Sequence, residues 1–87
     1  MKLVIAIIRD VDRSNVVEAL ISHGHRVTHV ASTGGFLRRG NVTLFVGAEE
    51  EHVESVIEVL RETCSPAEPD HSRATIFVVD APHFEQI

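Results

Sequence analysis

The order in which hydrophobic periodicity changes along this chain leaves few folds open to it. Lys2 to Ile8 (KLVIAII) is a continuous β-rich apolar run, as expected of a strand buried on both faces. Arg9-Asp10-Val11-Asp12 interrupts it, and Asp12 or Ser14 is suited to cap a helix. Val16, Val17, Leu20 and Ile21 then recur at helical spacing, and Gly24 is a suitable stop because glycine tolerates the left-handed conformation. His25 to Ala31 alternates as a second strand, with Arg26, Thr28 and Val30 on one side. Asn41 to Gly47 alternates as a third, with Asn41, Thr43, Phe45 and Gly47 on one side and Val42, Leu44 and Val46 on the other. Glu49-Glu50-Glu51 opens a second helix, since acidic side chains favour the positive end of the dipole. Its expected buried face is Val53, Val56, Ile57 and Leu60. Thr63 to Arg73 carries Pro66 and Pro69 and reads as a loop. Ala74 to Asp80 (ATIFVVD) is the last strand, and in the tail beyond it Phe84 is expected to pack on the body.

The order is therefore βαββαβ. Short connections and right-handed crossovers turn that order into a ferredoxin-like α+β sandwich. It has a four-stranded antiparallel sheet with both helices on one face. Residues 1–87 are expected to form one domain. Leu3 to Ile8 and Thr75 to Val79 are apolar on both faces, yet the helices cover only one. The other face would present an apolar patch, for which self-association is the simplest remedy. Partial cover by the tail and loops is the alternative.

Charge and composition exclude several classes. A net charge of −5 disfavours generic nucleic-acid binding. With no Trp and no Tyr there is no extended stacking platform for single strands. The opening apolar run is too short to cross a bilayer and lacks the parts of a signal peptide, so no membrane insertion is expected. Cys64 is the single cysteine, which rules out an internal disulfide and suits a reducing, cytoplasmic setting.

Ser32 to Asn41 (STGGFLRRGN) carries the most chemistry. Adjacent glycines let backbone N–H groups approach an anion without a Cβ in the way. Ser32 and Thr33 add hydroxyls, Phe36 an aromatic face, Arg38 and Arg39 positive charge, and Asn41 an amide able to read a base edge. These parts suit a nucleotide, although a Gly-Gly loop between two strands is also an ordinary hairpin. No Gly-Lys-Ser/Thr follows, so it is not a Walker loop. Arg26 and Thr28 share a strand face that leads into the loop, where a solvated strand edge is the plainer account.

Six histidines invite a metal reading through His23, His25 and His29. Two pleats separate the last two by about 7 Å, long for ligands of one ion, and surface or interface roles fit better. Cys64 lacks a second Cys or a catalytic partner, and no paired-carboxylate or Ser-His-Asp arrangement is supported. An enzyme is not expected, nor is a cofactor.

Three stretches resemble the PII-like cyclic-di-AMP receptors: KLVIAIIRDVD, HRVTHVASTGGFLRRGNVTLFVGAEEEHV and ATIFVVDAPHFEQI. RVT, STGGFL, GN and VG fall in register between Arg26 and Gly47. The resemblance implies a non-enzymatic signal-transduction protein. It would be a homotrimer binding cyclic-di-AMP, or another adenine nucleotide, in clefts between subunits and acting on an unknown protein target. Carried over residue by residue, the implied ligand contacts are Arg26, Thr28, Gly35, Phe36, Leu37, Asn41, Gly47, Phe77 and Gln86. The chain departs from the family pattern at three places. The connection Thr63 to Arg73 is shorter than the family's mobile loop. Gly24 replaces a ligand-contacting asparagine, and His25 replaces an aromatic residue. An interaction module with a lost or altered ligand, and a histidine-based metal trimer, are the alternatives.

Overall fold

Backbone pairing in the computed structural model, which describes residues 1–31, 40–66, 73–85 and 87, joins four antiparallel strands into one sheet. Its elements are β1 (Lys2–Arg9), a 3-10 turn (Asp10–Asp12), α1 (Arg13–Ser22), β2 (Arg26–Ala31) and β3 (Asn41–Ala48). A second 3-10 turn (Glu50–His52), α2 (Val53–Thr63) and β4 (Ala74–Asp80) follow. The spatial order β2-β3-β1-β4 is the ferredoxin-like arrangement expected from the sequence.

Strand alternation sorts the sheet into two faces. Val4, Ala6 and Ile8 of β1 and Val42, Leu44, Val46 and Ala48 of β3 are buried beneath the helices. Against them pack Val16 and Leu20 of α1, Val56, Val59 and Leu60 of α2, and Cys64. Each fully buried Val or Leu contributes about 1.5–3 kcal/mol, so this one layer carries most of the hydrophobic stabilisation.

The helix stripes differ from the sequence expectation at their margins. The α1 stripe centres on Val16 and Leu20, and Ile21 falls on its outer flank, 59% exposed. In α2, Val59 joins the buried set, while Val53 and Ile57 are half-buried at its border. α2 begins one 3-10 turn later than Glu49-Glu50-Glu51 suggest, whereas α1 begins at Arg13, directly after Asp12. The capping role expected of Asp12 or Ser14 is not used. Asp12 stands at the N-cap of α1 without a side-chain cap bond, because its carboxylate is engaged by Ser65.

Gly24 ends α1 as expected, at φ +85°. Its N–H donates to the Ile21 carbonyl (2.9 Å), and the His25 N–H reaches back to that of Leu20 (2.9 Å). That pair of bonds is the Schellman closure, which needs a left-handed residue at this point. At the far end, the Ala81 N–H donates to the Met1 carbonyl (3.0 Å) and Pro82 then removes the next donor. The tail leaves the sheet there. Phe84 is 66% exposed and does not pack on the body as the sequence suggested.

Candidate functional site

The candidate residues gather on the sheet face that no described helix covers. Alternation places Leu3, Ile5, Ile7 and Arg9 of β1 on it, with Arg26 and Thr28 of β2, Asn41, Thr43, Phe45 and Gly47 of β3, and Thr75, Phe77 and Val79 of β4. All five described residues among the expected contacts, Arg26, Thr28, Asn41, Gly47 and Phe77, therefore share one face. Gly35, Phe36, Leu37 and Gln86 lie outside the described residues.

Register divides this face by chemistry. Arg26 pairs with Gly47, and Thr28 with Phe45, at adjacent steps of the β2–β3 ladder. The β1–β4 half beside them is apolar: Leu3 and Val79 share a row, as do Ile5 and Phe77. Phe77 is 52% exposed and Val79 43%. The uncovered face thus joins a polar half to an apolar one.

The expected residues do not all converge within one chain. Arg26, Thr28 and Gly47 are neighbours. Phe77 lies in the row of Thr28 but three strand spacings away, about 14 Å. Asn41 is six residues along β3 from Gly47, about 20 Å.

Gly47 is open in a specific way. A Cβ built on it would meet only the flexible Met1 side chain, no nearer than 3.8 Å. The fold among the described residues does not require glycine here, opposite Arg26. Thr43 is the opposite case. It is 8% exposed and its hydroxyl has no hydrogen-bond partner among the described residues, a position alternation marks but sequence alone could not single out.

At the end of the sheet that carries Asn41, a polar knot ties β1 to the end of α2. The Asp12 carboxylate, 4% exposed as a residue, accepts from the Ser65 N–H (3.2 Å) and hydroxyl (3.0 Å). Arg9 Nη2 donates to the Ser65 carbonyl (2.8 Å), the Ser65 hydroxyl (2.9 Å) and the Pro66 carbonyl (2.8 Å). Arg73 grips the same turn through the carbonyls of Ser65 (3.3 Å), Cys64 (3.0 Å) and Arg61. Arg9 also pairs with Asn41, and the Asp10 N–H donates to the Gly40 carbonyl (2.6 Å). Sequence reasoning passed over Arg9 because its partners lie far along the chain.

Burial pushes the Cys64 thiol up, and Asp12 adds to the effect, while Arg73 and Arg9 oppose it in part. That is the environment of a packed thiol rather than a nucleophile. His25, next to Arg26, is held below the usual imidazole value by burial and then by His52 and His23. Its Nε2 lies 3.3 Å from the Ser55 hydroxyl. Among the described residues no three His, Cys, Asp or Glu side chains are placed to hold a metal ion. None of their helices is long and apolar enough to cross a membrane. A groove between α2 and β4, lined by Ile57, Leu60, Arg61, Arg73, Ala74 and Ile76, contains none of the expected contacts.

Comparison with known proteins agrees with this architecture. A solved structure of a functionally unknown protein from Pediococcus pentosaceus ATCC 25745 is 34% identical and superposes with a TM-score of 0.78. The match covers 99% of this chain and 96% of that one. The family model described as cyclic-di-AMP receptor matches residues 1–69, a span that includes Arg26, Thr28, Asn41 and Gly47, and on that match the chain belongs to the cyclic-di-AMP receptor family.

Proposed function

We propose that this protein is a non-enzymatic cytoplasmic receptor for cyclic-di-AMP, binding it in clefts between the subunits of a homotrimer. The observation that carries the reading is the shared face of Arg26, Thr28, Asn41, Gly47 and Phe77. Family membership supplies the ligand class. Arg26 neutralises phosphate charge, and Thr28 offers a hydroxyl beside it. Gly47 admits the ligand close to the β3 backbone. Asn41 fixes orientation from the other end of β3, and Phe36 offers a face to an adenine.

The spread of these residues supports an assembly. Phe77 and Thr28 are about 14 Å apart in one chain, so a ligand touching both contact types is served more easily by two subunits. The apolar half of the face, with Leu3, Ile5, Phe77 and Val79, is suited to lie against a second copy. Ligand binding would then alter the surface offered to a protein target. A thermal-shift panel of cyclic dinucleotides and ATP tests the reading. Cyclic-di-AMP is expected to raise the melting temperature in wild-type protein and not in Arg26→Ala. A panel without any shift at saturating concentrations argues against it.

A further inference from the structure

Thr43 stands on the uncovered face between the two groups of polar residues that share it. It is two residues from Asn41 along β3. Its cross-strand partner is Val30, which makes Thr28 its diagonal neighbour at about 7–8 Å. Ile7 stands opposite it on β1, and Phe45 is next on its own strand face. Thr43 is nevertheless 8% exposed, and its hydroxyl has no partner among the described residues. A buried hydroxyl without a partner destabilises a fold, and a valine of the same shape would remove that penalty. Among the described residues nothing makes use of the oxygen.

We infer that the Thr43 hydroxyl is a ligand contact, turning outward to hydrogen-bond a bound nucleotide between the positions served by Thr28 and Asn41. A threonine exchanges its methyl and hydroxyl positions by a single χ1 step between staggered wells. The same side chain can thus be packed when the site is empty and paired when it is filled. The inference rests on the nucleotide-binding reading above and adds a residue to it. Thr43 separates nucleotides by their hydrogen-bonding groups, because a ligand lacking one opposite it leaves the oxygen unpaired again.

The test is calorimetry of the full chain with cyclic-di-AMP, comparing wild type, Thr43→Val and Thr43→Ser, with melting temperatures of the free proteins. Thr43→Val is expected to melt at or above wild type and to bind about five- to tenfold more weakly, the effect of one lost hydrogen bond. Thr43→Ser is expected to stay within about twofold of wild type. Equal affinity in wild type and Thr43→Val overturns the assignment while leaving the receptor reading intact. So does a Thr43→Val protein that binds normally per site but dissociates into smaller oligomers, which would place the hydroxyl at a subunit contact. Wild-type protein that does not bind overturns both.

Discussion

Gly47 lies directly opposite Arg26 on the β2–β3 ladder, and a Cβ built on it would meet only the Met1 side chain, no nearer than 3.8 Å. The relationship yields a prediction that separates folding from binding. A Cβ at position 47 meets nothing closer than 3.8 Å, and no positive φ requires glycine there. Gly47→Ala is expected to melt within a few degrees of wild type, because glycine in a strand has little to recommend it for stability. Gly47→Val is expected to fold as well and to lose cyclic-di-AMP binding by tenfold or more. A Gly47→Val protein that binds like wild type in calorimetry would show that no ligand approaches this strand.

The polar knot predicts a strong stability effect at the end of the sheet opposite Arg26 and Gly47. Removing the Asp12 carboxylate leaves the Ser65 N–H and hydroxyl without the acceptor they share and takes away an anion 3.7 Å from Arg9 Nε. Asp12→Ala is expected to destabilise the chain by about 2–4 kcal/mol, a loss of ten degrees or more in melting temperature. Thermal denaturation followed by circular dichroism measures it. A change under two degrees would show that the knot contributes little.

Much of this was readable from the sequence. The βαββαβ order, the span Ala74 to Asp80 and the stop at Gly24 follow from periodicity and glycine chemistry, and the alternation that places Arg26 with Thr28 and Asn41 with Gly47 was visible. What it could not show was register. Only the pairing of Arg26 with Gly47, rather than with Phe45 or Thr43, says which expected contacts are neighbours across strands. The knot was hidden for a similar reason. Arg9, Asp12, Ser65 and Arg73 are ordinary polar residues until the fold brings the end of β1 to the end of α2. Asp12 looked like a helix cap because caps are local and sequence sees local patterns. Phe84 was expected to be buried on hydrophobicity alone, but the chain leaves the sheet after Ala81.

Acidification is expected to weaken the fold through His25. Its value lies below 6.5 in the folded chain, so below that pH the unfolded chain binds the proton more readily than the folded one. Stability from this group is fully present above pH 6.5 and is lost as pH falls through the lower folded value. His25→Gln is expected to flatten the fall in melting temperature below pH 6.5. An unchanged pH profile in that variant would assign the dependence to other groups.

Cys64 is expected to be slow to react. It is buried, and burial with the neighbouring Asp12 holds its thiol above the ordinary value. A thiol-specific chromogenic disulfide at pH 8 is expected to modify native protein slowly and denatured protein rapidly. Equal rates in the two states would contradict the placement of Cys64 in the core.

The central claim is that the face shared by Arg26, Thr28, Asn41, Gly47 and Phe77 binds cyclic-di-AMP. Isothermal titration of the wild-type protein with that ligand tests it most directly. The account predicts saturable heat with one ligand per subunit, lost in Arg26→Ala at unchanged melting temperature. Wild-type protein that gives no binding heat, and no melting shift at saturating ligand, would contradict it.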